Sequence, residues 1–134
     1  MGLLHDIGKI IVPGEILDKP GKLTKAEYDE IKKHPAIAYR MLSSINEFSS
    51  IADGVLSHHE RWDGKGYPNG IKGDEIPIES RIIAIAEGYD AMTSSRPYRK
   101  KGLSLEKARQ ELIDGAGTKY DPEIIHFIIK EKII

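Results

Sequence analysis

The 134-residue sequence contains no cysteine, which excludes disulfide bonds and any metal site built on thiolates. It also has no apolar run near the roughly 18 to 20 residues that a membrane-spanning helix needs. The first residues turn polar at His5, so they do not have the pattern of a secretory signal peptide. A metal site in this chain would therefore have to use histidine and carboxylate ligands.

An excess of charge of one sign is absent as well. The 20 Lys and Arg residues nearly balance the 21 Asp and Glu residues, which leaves a formal net charge of -1. We therefore expect no binding to DNA or to a membrane surface through the overall field, and an anionic ligand would have to be recognised by a local cluster. The length predicts one domain, residues 1–134, and the leucine-rich start reads like the end of a helix whose beginning is missing.

Apolar spacing and capping residues predict an all-α fold that is interrupted by one long glycine-rich loop. The predicted helices are one that ends at Pro13, one over 24–33, one over 35–44, one from Ser49 or Ser50 to the His58-His59 pair, a nearly fully buried one over 79–93, one over 104–114 and one from Asp121 onward. The loop over 62–77 carries aromatic anchors and has room for a short hairpin, and loops of this length in compact domains are usually functional.

The first candidate for chemistry is the pair His5-Asp6, followed by Lys9 one helical turn later. An imidazole beside a carboxylate can bind one divalent metal or span two. A lysine on the same face can protonate a leaving oxygen or bind a phosphate. Taken alone, these residues slightly favour a plainer interpretation, a helix end where His and Asp cap the helix or lie in solvent.

Three further histidines and two carboxylates strengthen the metal interpretation. His34 opens a predicted helix, His58-His59 close another, and Glu87 and Asp90 share one face of an otherwise apolar helix. Buried carboxylates need a partner, and a metal ion held by the histidines would provide one. Neutral His with Asp or Glu suits Fe, Mn, Zn or Co, and two such metals roughly 3.5–4 Å apart suit phosphodiester hydrolysis.

Each of these residues also has a plain structural alternative. His34 could cap a helix, Glu87 could pair with Arg81, and Asp90 could bond the backbone near Ser94. The coincidence of all of them favours the metal site. His126 is left out of that site because it lies on an ordinary amphipathic helix with no acidic or histidine neighbour in motif position.

A basic segment follows Glu87 and Asp90 closely. Arg96 and Arg99 could clamp substrate phosphates, or the segment could be a solvated loop. Across the glycine-rich loop, Trp62 and Tyr67 could stack on a nucleobase or simply hold the loop in place.

The ordered set of motifs resembles the HD-GYP subgroup of the HD phosphohydrolase superfamily, from Leu3 to about Phe127. The motifs that carry the resemblance lie at residues 5–9, 34–35, 58–68, 86–99 and 117–122. The resemblance implies an all-α, HD-type helical bundle with a long glycine-rich (GYP) loop. It also implies a cytoplasmic bacterial signalling domain that hydrolyses cyclic di-GMP to linear pGpG, to GMP, or to both.

The resemblance further assigns roles to residues of this chain. Asp6 would bridge two metals, Lys9 would assist the leaving oxygen, and Arg96 and Arg99 would contact substrate phosphates. The motif Gly66-Tyr67-Pro68 would shape the substrate loop and a surface for partner domains. The implied metal ligands are His5, Asp6, His34, His58, His59 and Glu87, the last of which is often Asp in the family.

The resemblance implies two divalent metals, or three in some members, with Fe or Mn first and Zn, Co or Ni as alternatives. The expected partners are cyclic di-GMP, an upstream sensor or receiver domain, GGDEF-type domains and a second copy of the chain. The family has a helix before the His-Asp pair that supplies another His ligand, so we expect this chain to lack its first helix or helices. Two alternatives stay open: a module that senses cyclic di-GMP or binds partners without cleavage, and an HD phosphohydrolase acting on another nucleotide.

Overall fold

The computed structural model describes residues 1–95 and 101–134. Within these ranges the chain is helical and contains no strand, as the sequence predicts. The α-helices are α1 Gly14–Leu17, α2 Lys25–Ile31, α3 His34–Ser43, α4 Ser49–Leu56, α5 Ile78–Thr93, α6 Leu105–Asp114 and α7 Pro122–Lys130. Short 3-10 helices span Ile7–Ile11, Asn46–Phe48 and Gly73–Glu75. None of the helices in these ranges combines the length and the apolarity that crossing a bilayer requires.

Local capping explains where three of these helices begin. Thr24 accepts the Glu27 backbone N–H while the Glu27 side chain accepts that of Thr24, so α2 starts with the predicted capping box. The Ser104 side chain caps α6. Asp121 caps α7, whose first residue is the predicted proline, Pro122. All three starts depend on side chains within three residues of the helix, which is why the sequence reveals them.

The segment around the His-Asp pair differs from the predicted α-helix. Asp6 precedes a 3-10 helix, in which the backbone N–H of Lys9 donates to Asp6 O at 2.9 Å and that of Val12 donates to Lys9 O at 2.9 Å. Pro13 lacks an N–H and cannot extend this ladder. A one-turn helix, α1, then begins at Gly14, where the sequence predicted a turn-rich connector.

The prediction for α5 is right in extent and wrong in burial. The side chains of Ile78 and Ile82 are 46% and 50% exposed, whereas Ser80 and Ile85 are buried. α5 contacts α4 and α6, and these contacts leave part of its apolar surface in solvent. The glycine-rich loop contains the 3-10 turn Gly73–Glu75 and no hairpin.

Two apolar clusters position the elements around the histidines. The first, formed by Ala38, Leu42, Ala52 and Val55, joins α3 to α4. The N-terminal segment packs against this cluster through Met1, Leu4 and Ile7. The second cluster joins α5, α6 and α7 through Ile85, Leu112 and Ile125. The start of α3, the end of α4 and the middle of α5 meet the His-Asp segment through side-chain contacts with Asp6 or His5.

Candidate metal centre

Two buried histidines face each other at the centre of the site. His34 is the first residue of α3, His58 follows the end of α4, and both are 0% exposed. Nδ1 of His34 donates to Ile31 O at 2.7 Å, and Nδ1 of His58 donates to Val55 O at 2.6 Å. In neutral imidazoles each Nε2 then carries a lone pair, and the two Nε2 atoms lie 3.2 Å apart. A cation beside them would satisfy both lone pairs.

Asp6 adds a carboxylate to this pair. Its Oδ1 lies 3.2 Å from Nε2 of His34 and 4.0 Å from Nε2 of His58. This oxygen is buried and has no hydrogen-bond partner among the described residues. Burial alone would raise the Asp6 pKa, but the polar contacts of its carboxylate, the Lys9 ammonium among them, hold that pKa below its ordinary value. An ionised oxygen facing two lone pairs is unfavourable alone and fits a metal ion.

The remaining predicted ligands, His5, His59 and Glu87, extend this cluster. His5 donates through Nδ1 to Gly2 O, and its Nε2 lies 3.0 Å from Oε1 of Glu87 and 3.5 Å from Oδ2 of Asp6. His59 Nδ1 is 3.9 Å from Oε2 of Glu87. Burial raises the pKa of Glu87. The structure thus brings all six predicted ligands into one cluster.

Asp6 belongs to two ligand groups at once. In each group, one donor atom per residue lies within 4.8 Å of the others. The groups are Asp6 with His34, His58 and His59, and Asp6 with His5 and Glu87. Asp6 is therefore the residue that the two groups have in common.

Burial keeps the histidines in the form that binds metals. Desolvation lowers the pKa of His58 to about 4 and that of His59 to about 3, and the neighbouring imidazoles add to the effect. Both side chains are therefore neutral at physiological pH. Metal binding would not have to displace a proton from either of them.

Lys9 lies beside the cluster, as its spacing from Asp6 predicts. Its Nζ donates to Oδ2 of Asp6 at 2.7 Å. Although the segment is a 3-10 helix, residues three apart still share one face, so the contact forms.

The glycine-rich loop packs directly against the ligand histidines. Tyr67 stacks on the His59 ring, with centroids 4.9 Å apart and an interplanar angle of 27°. Its backbone N–H donates to His59 O at 3.3 Å. Gly66 lies so close to this backbone that an added Cβ would be 2.6 Å from His59 O. The peptide bond between Tyr67 and Pro68 is cis. Tyr67 thus holds the loop onto the cluster, one of the two roles expected for it.

Glu60 anchors the same loop, a role that the sequence analysis missed. Its Oε1 accepts the backbone N–H groups of Asn69 at 2.7 Å and Gly70 at 3.1 Å. Only 3% of Glu60 is exposed, and its Oε2 is buried without a partner among the described residues. The signal in the sequence was a carboxylate placed between the histidine doublet and a run of glycines, whose N–H groups need acceptors.

The structure also shows which of the plain structural contacts form. Glu87 does not contact Arg81, which instead pairs with Asp74 and Asp121. Asp90 accepts a hydrogen bond from Ser94 at 2.8 Å and lines the same cleft as the cluster. His126 is exposed on α7. The predicted phosphate contacts, Arg96 and Arg99, lie outside the described residues.

A cleft of about 770 Å³ opens from the cluster, a size typical of small-molecule sites. Among the described residues, the Lys and Arg residues that line it are Lys9, Arg61 and Lys119. Its acidic lining residues are Asp6, Glu60, Glu87 and Asp90. The cleft therefore places an open volume next to a set of nitrogen and oxygen ligands.

Comparison with known proteins gives consistent matches. The HD domain family matches residues 1–124. The chain is 47% identical over 129 residues to "Cyclic di-GMP phosphodiesterase" of Thermotoga maritima, which covers 95% of this chain and 35% of that protein. It is 43% identical over 129 residues to "Cyclic di-GMP phosphodiesterase response regulator RpfG" of Xanthomonas campestris pv. campestris, covering 95% and 34%. It is 43% identical over 121 residues to "3'3'-cGAMP-specific phosphodiesterase 3" of Vibrio cholerae, covering 90% and 26%.

A solved structure supports the fold. The crystal structure of a V. cholerae cyclic GMP-AMP-specific phosphodiesterase, V-cGAP3, has a TM-score of 0.66 to this chain at 18% sequence identity. The match covers 98% of this chain and 36% of that one. The chain thus spans about a third, or less, of the length of the relatives it matches.

Proposed function

The chain belongs to the HD domain family, as its motifs predicted, and from that premise we propose that it is a metal-dependent phosphodiesterase acting on a cyclic dinucleotide. The family assignment and the helical fold together confirm the predicted all-α, HD-type class. The relatives named as cyclic di-GMP and 3'3'-cGAMP phosphodiesterases support the proposed reaction class.

The observation that carries the proposal is the buried Asp6 Oδ1, which faces Nε2 of His34 and of His58 and has no donor within the described part of the chain. Such a group of acceptors fits a divalent metal. We propose that Asp6, His34, His58 and His59 hold one ion, and that His5, Asp6 and Glu87 contribute to a second. When bound, the metals would polarise a phosphate oxygen and lower the pKa of a bound water.

The donor set also limits the identity of the metal. Imidazole nitrogens and carboxylate oxygens suit first-row divalent ions. We propose Fe or Mn, with Zn, Co or Ni as alternatives, and two ions, with a third as the alternative.

The side chains of the chain itself supply orientation and proton transfer. Backbone carbonyls fix the tautomers of His34 and His58, so each Nε2 points into the cluster without rearrangement. Lys9, whose Nζ donates to Asp6, is the proposed group that offsets the negative charge developing on a leaving 3′-oxygen and gives it a proton. Tyr67, stacked on His59, keeps that ring in place and covers one of its faces.

For the substrate we propose cyclic di-GMP, cleaved to linear pGpG, to GMP or to both, with 3'3'-cGAMP as the competing substrate. Arg96 and Arg99 are proposed phosphate contacts, and Gly66-Tyr67-Pro68 the loop that borders the substrate. We also propose that the chain, 1–134, acts in the cytoplasm as one domain of a longer signalling protein with a sensor or receiver domain upstream. GGDEF-type domains and a second copy of the chain are its proposed protein partners.

Product chromatography of the purified chain tests this function. The chain is loaded anaerobically with Fe(II) or Mn(II) and incubated separately with cyclic di-GMP and 3'3'-cGAMP. We expect linear dinucleotide or mononucleotide product. Binding of metal and dinucleotide without product would contradict the enzyme and indicate a sensing module, whereas turnover of a different nucleotide would change the substrate.

Asp6→Ala removes the carboxylate shared by both ligand groups. We expect turnover to fall by more than about 100-fold and the bound metal to be lost, because neither group then keeps its common ligand. Metal content by elemental analysis accompanies the product assay. His126→Ala, which changes an exposed histidine on α7, should retain both. Retention of metal and turnover by Asp6→Ala would contradict the assignment of the site.

A further inference from the structure

We propose that Lys119 is a substrate-binding residue that contacts a non-bridging phosphate oxygen of the bound dinucleotide and sets KM rather than kcat. This inference rests on the proposed function. It concerns the segment 117–122, to which that function assigns no role, although it lines the cleft at Lys119 and Tyr120.

The turn that carries Lys119 is bonded to the start of the glycine-rich loop. The backbone N–H of Trp62 donates to Lys119 O at 3.3 Å, and that of Asp63 donates to Thr118 O at 2.9 Å. Within the turn, the N–H groups of Lys119 and Tyr120 donate to Gly115 O at 2.9 Å and 3.1 Å. These hydrogen bonds hold the backbone of Lys119 from two sides and so fix the position from which its side chain extends.

Tyr120 fixes the turn against α5. Its ring occupies space left by two glycines, Gly88 on α5 and Gly115 at the end of α6. A Cβ at Gly88 would overlap the Tyr120 hydroxyl, and one at Gly115 would lie 2.8 Å from Cδ2 of the ring. Because Gly88 directly follows Glu87, this packing places the turn beside the metal cluster and Lys119 along the same cleft.

The charges of the cleft single out Lys119. Lys9 is paired with Asp6 at 2.7 Å, and Arg61 forms a two-pronged pair with Asp63 at 3.0 Å and 2.6 Å. Lys119 is exposed and forms no ion pair with any residue in 1–95 or 101–134. Among the described Lys and Arg residues that line the cleft, Lys119 is thus the one without a carboxylate partner, so its positive charge is available to a ligand.

A cyclic dinucleotide needs such a charge. It carries two phosphodiester groups, and the cleft presents four carboxylates, Asp6, Glu60, Glu87 and Asp90. The metals would offset this repulsion at the reacting phosphate. Lys119, which also lines the cleft, would offset the repulsion for the rest of the anion, because its compact ammonium acts as a point charge.

Equilibrium binding and steady-state kinetics test the inference with four variants. Lys119→Ala should raise the Kd of a fluorescent cyclic di-GMP analogue, measured on metal-free protein, and the KM for cyclic di-GMP by roughly 10-fold. Lys119→Glu should raise both further, and Lys119→Arg should stay within about threefold of the unchanged chain. The matched control Lys130→Ala removes an exposed lysine from α7 and should change neither value.

A second substrate separates binding from chemistry. Bis(para-nitrophenyl) phosphate has a single phosphate, which would react at the metals, so Lys119→Ala should leave its kcat/KM unchanged. The kcat for cyclic di-GMP should also stay within about twofold, because the contact exists in both ground and transition states. A fall in kcat with an unchanged KM would overturn the inference.

The outcomes distinguish the two proposals. If the unchanged chain neither binds nor cleaves cyclic di-GMP or 3'3'-cGAMP, the proposed function fails and this inference fails with it. If it binds and cleaves one of them while Lys119→Glu binds it equally well, only the inference is overturned.

Discussion

Histidine chemistry at this site is controlled by what each ring nitrogen contacts. Nδ1 of His34 and of His58 is committed to a backbone carbonyl, so only Nε2 of each ring is available to the cluster. The carbonyls belong to Ile31, the last residue of α2, and to Val55 in the last turn of α4, three residues before each histidine. Helix ends have unpaired carbonyls, which explains why histidines at these positions acquire a defined tautomer.

The metal-free chain should lose stability as the pH falls from 7 to about 4.5. The pKa of His58 is about 4 and that of His59 about 3 in the folded chain, against 6.5 when exposed. As the pH falls, the unfolded state therefore binds protons at these histidines first. The stability that comes from keeping the two histidines neutral is fully present above pH 6.5 and is lost as the pH falls towards their folded-state pKa values. For His58 it amounts to roughly 2–3 kcal/mol. Urea unfolding in the presence of chelator at several pH values measures it.

Glu87 has the opposite effect on stability as the pH falls, so a substitution at Glu87 provides a matched comparison. Its raised pKa means that the folded state takes up the Glu87 proton first, which favours folding as the pH falls. Glu87→Gln should thus show a steeper loss of stability, and His126→Gln the same profile as the unchanged chain. A free energy of unfolding independent of pH over this range would contradict the neutral, buried histidines.

At the scale of elements, the 3-10 helix Ile7–Ile11 and α3 are in direct backbone contact. A Cβ at Gly8 would overlap His34 O and would lie 2.9 Å from the backbone nitrogen of Ala38. Glycine therefore allows the His-Asp segment to approach the first turn of α3. This approach brings Asp6 within reach of His34.

Gly8→Ala should move these two elements apart. We expect a destabilisation of about 1–3 kcal/mol, because both atoms in the way are backbone and cannot turn aside. Metal affinity should fall with it, since Asp6 and His34 separate. Chemical unfolding and metal titration measure the two effects. Gly14→Ala is the control, because a Cβ there meets nothing within 4 Å, and equal effects of both variants would contradict the close-packing argument.

Across the whole molecule, Arg81 connects α5, the glycine-rich loop and α7. Its guanidinium donates to Ile76 O at 2.8 Å and to Asp121 at 2.8 Å, and it pairs with Asp74 at 3.1 Å. It also lies 5.7 Å from the centroid of the Trp62 ring. Asp121 is 3% exposed and caps α7, so one buried carboxylate serves two elements.

Arg81→Ala should destabilise the fold by roughly 3 kcal/mol, because it leaves Asp121 as a buried carboxylate without its cation. The double variant Arg81→Ala with Asp121→Asn should recover part of the loss, since an amide still caps α7 without the buried charge. Thermal and urea unfolding measure both. The exposed pair of Lys33 and Glu30 is the control, and Lys33→Ala should change stability by less than about 1 kcal/mol. Equal effects of Arg81→Ala and Lys33→Ala would contradict the connecting role.

The sequence by itself determined the features that depend on short-range chemistry. The capping side chains of Thr24, Ser104 and Asp121 act within three residues, so the starts of α2, α6 and α7 could be read from residue types. The HD family and the all-α class followed from ordered motifs and apolar spacing. The candidate ligands could be named because histidine and carboxylate are the available metal donors in a chain without cysteine.

Only the tertiary structure decided how these residues meet. The His-Asp segment became a 3-10 helix packed on α3, α5 left part of its apolar face in solvent, and Asp6 came to be shared by two ligand groups. It also decided that Glu60 anchors the glycine-rich loop and that Tyr120 places Lys119 in the cleft. Each outcome depends on contacts between residues far apart in sequence, where packing distance outweighs the local preferences that a sequence displays.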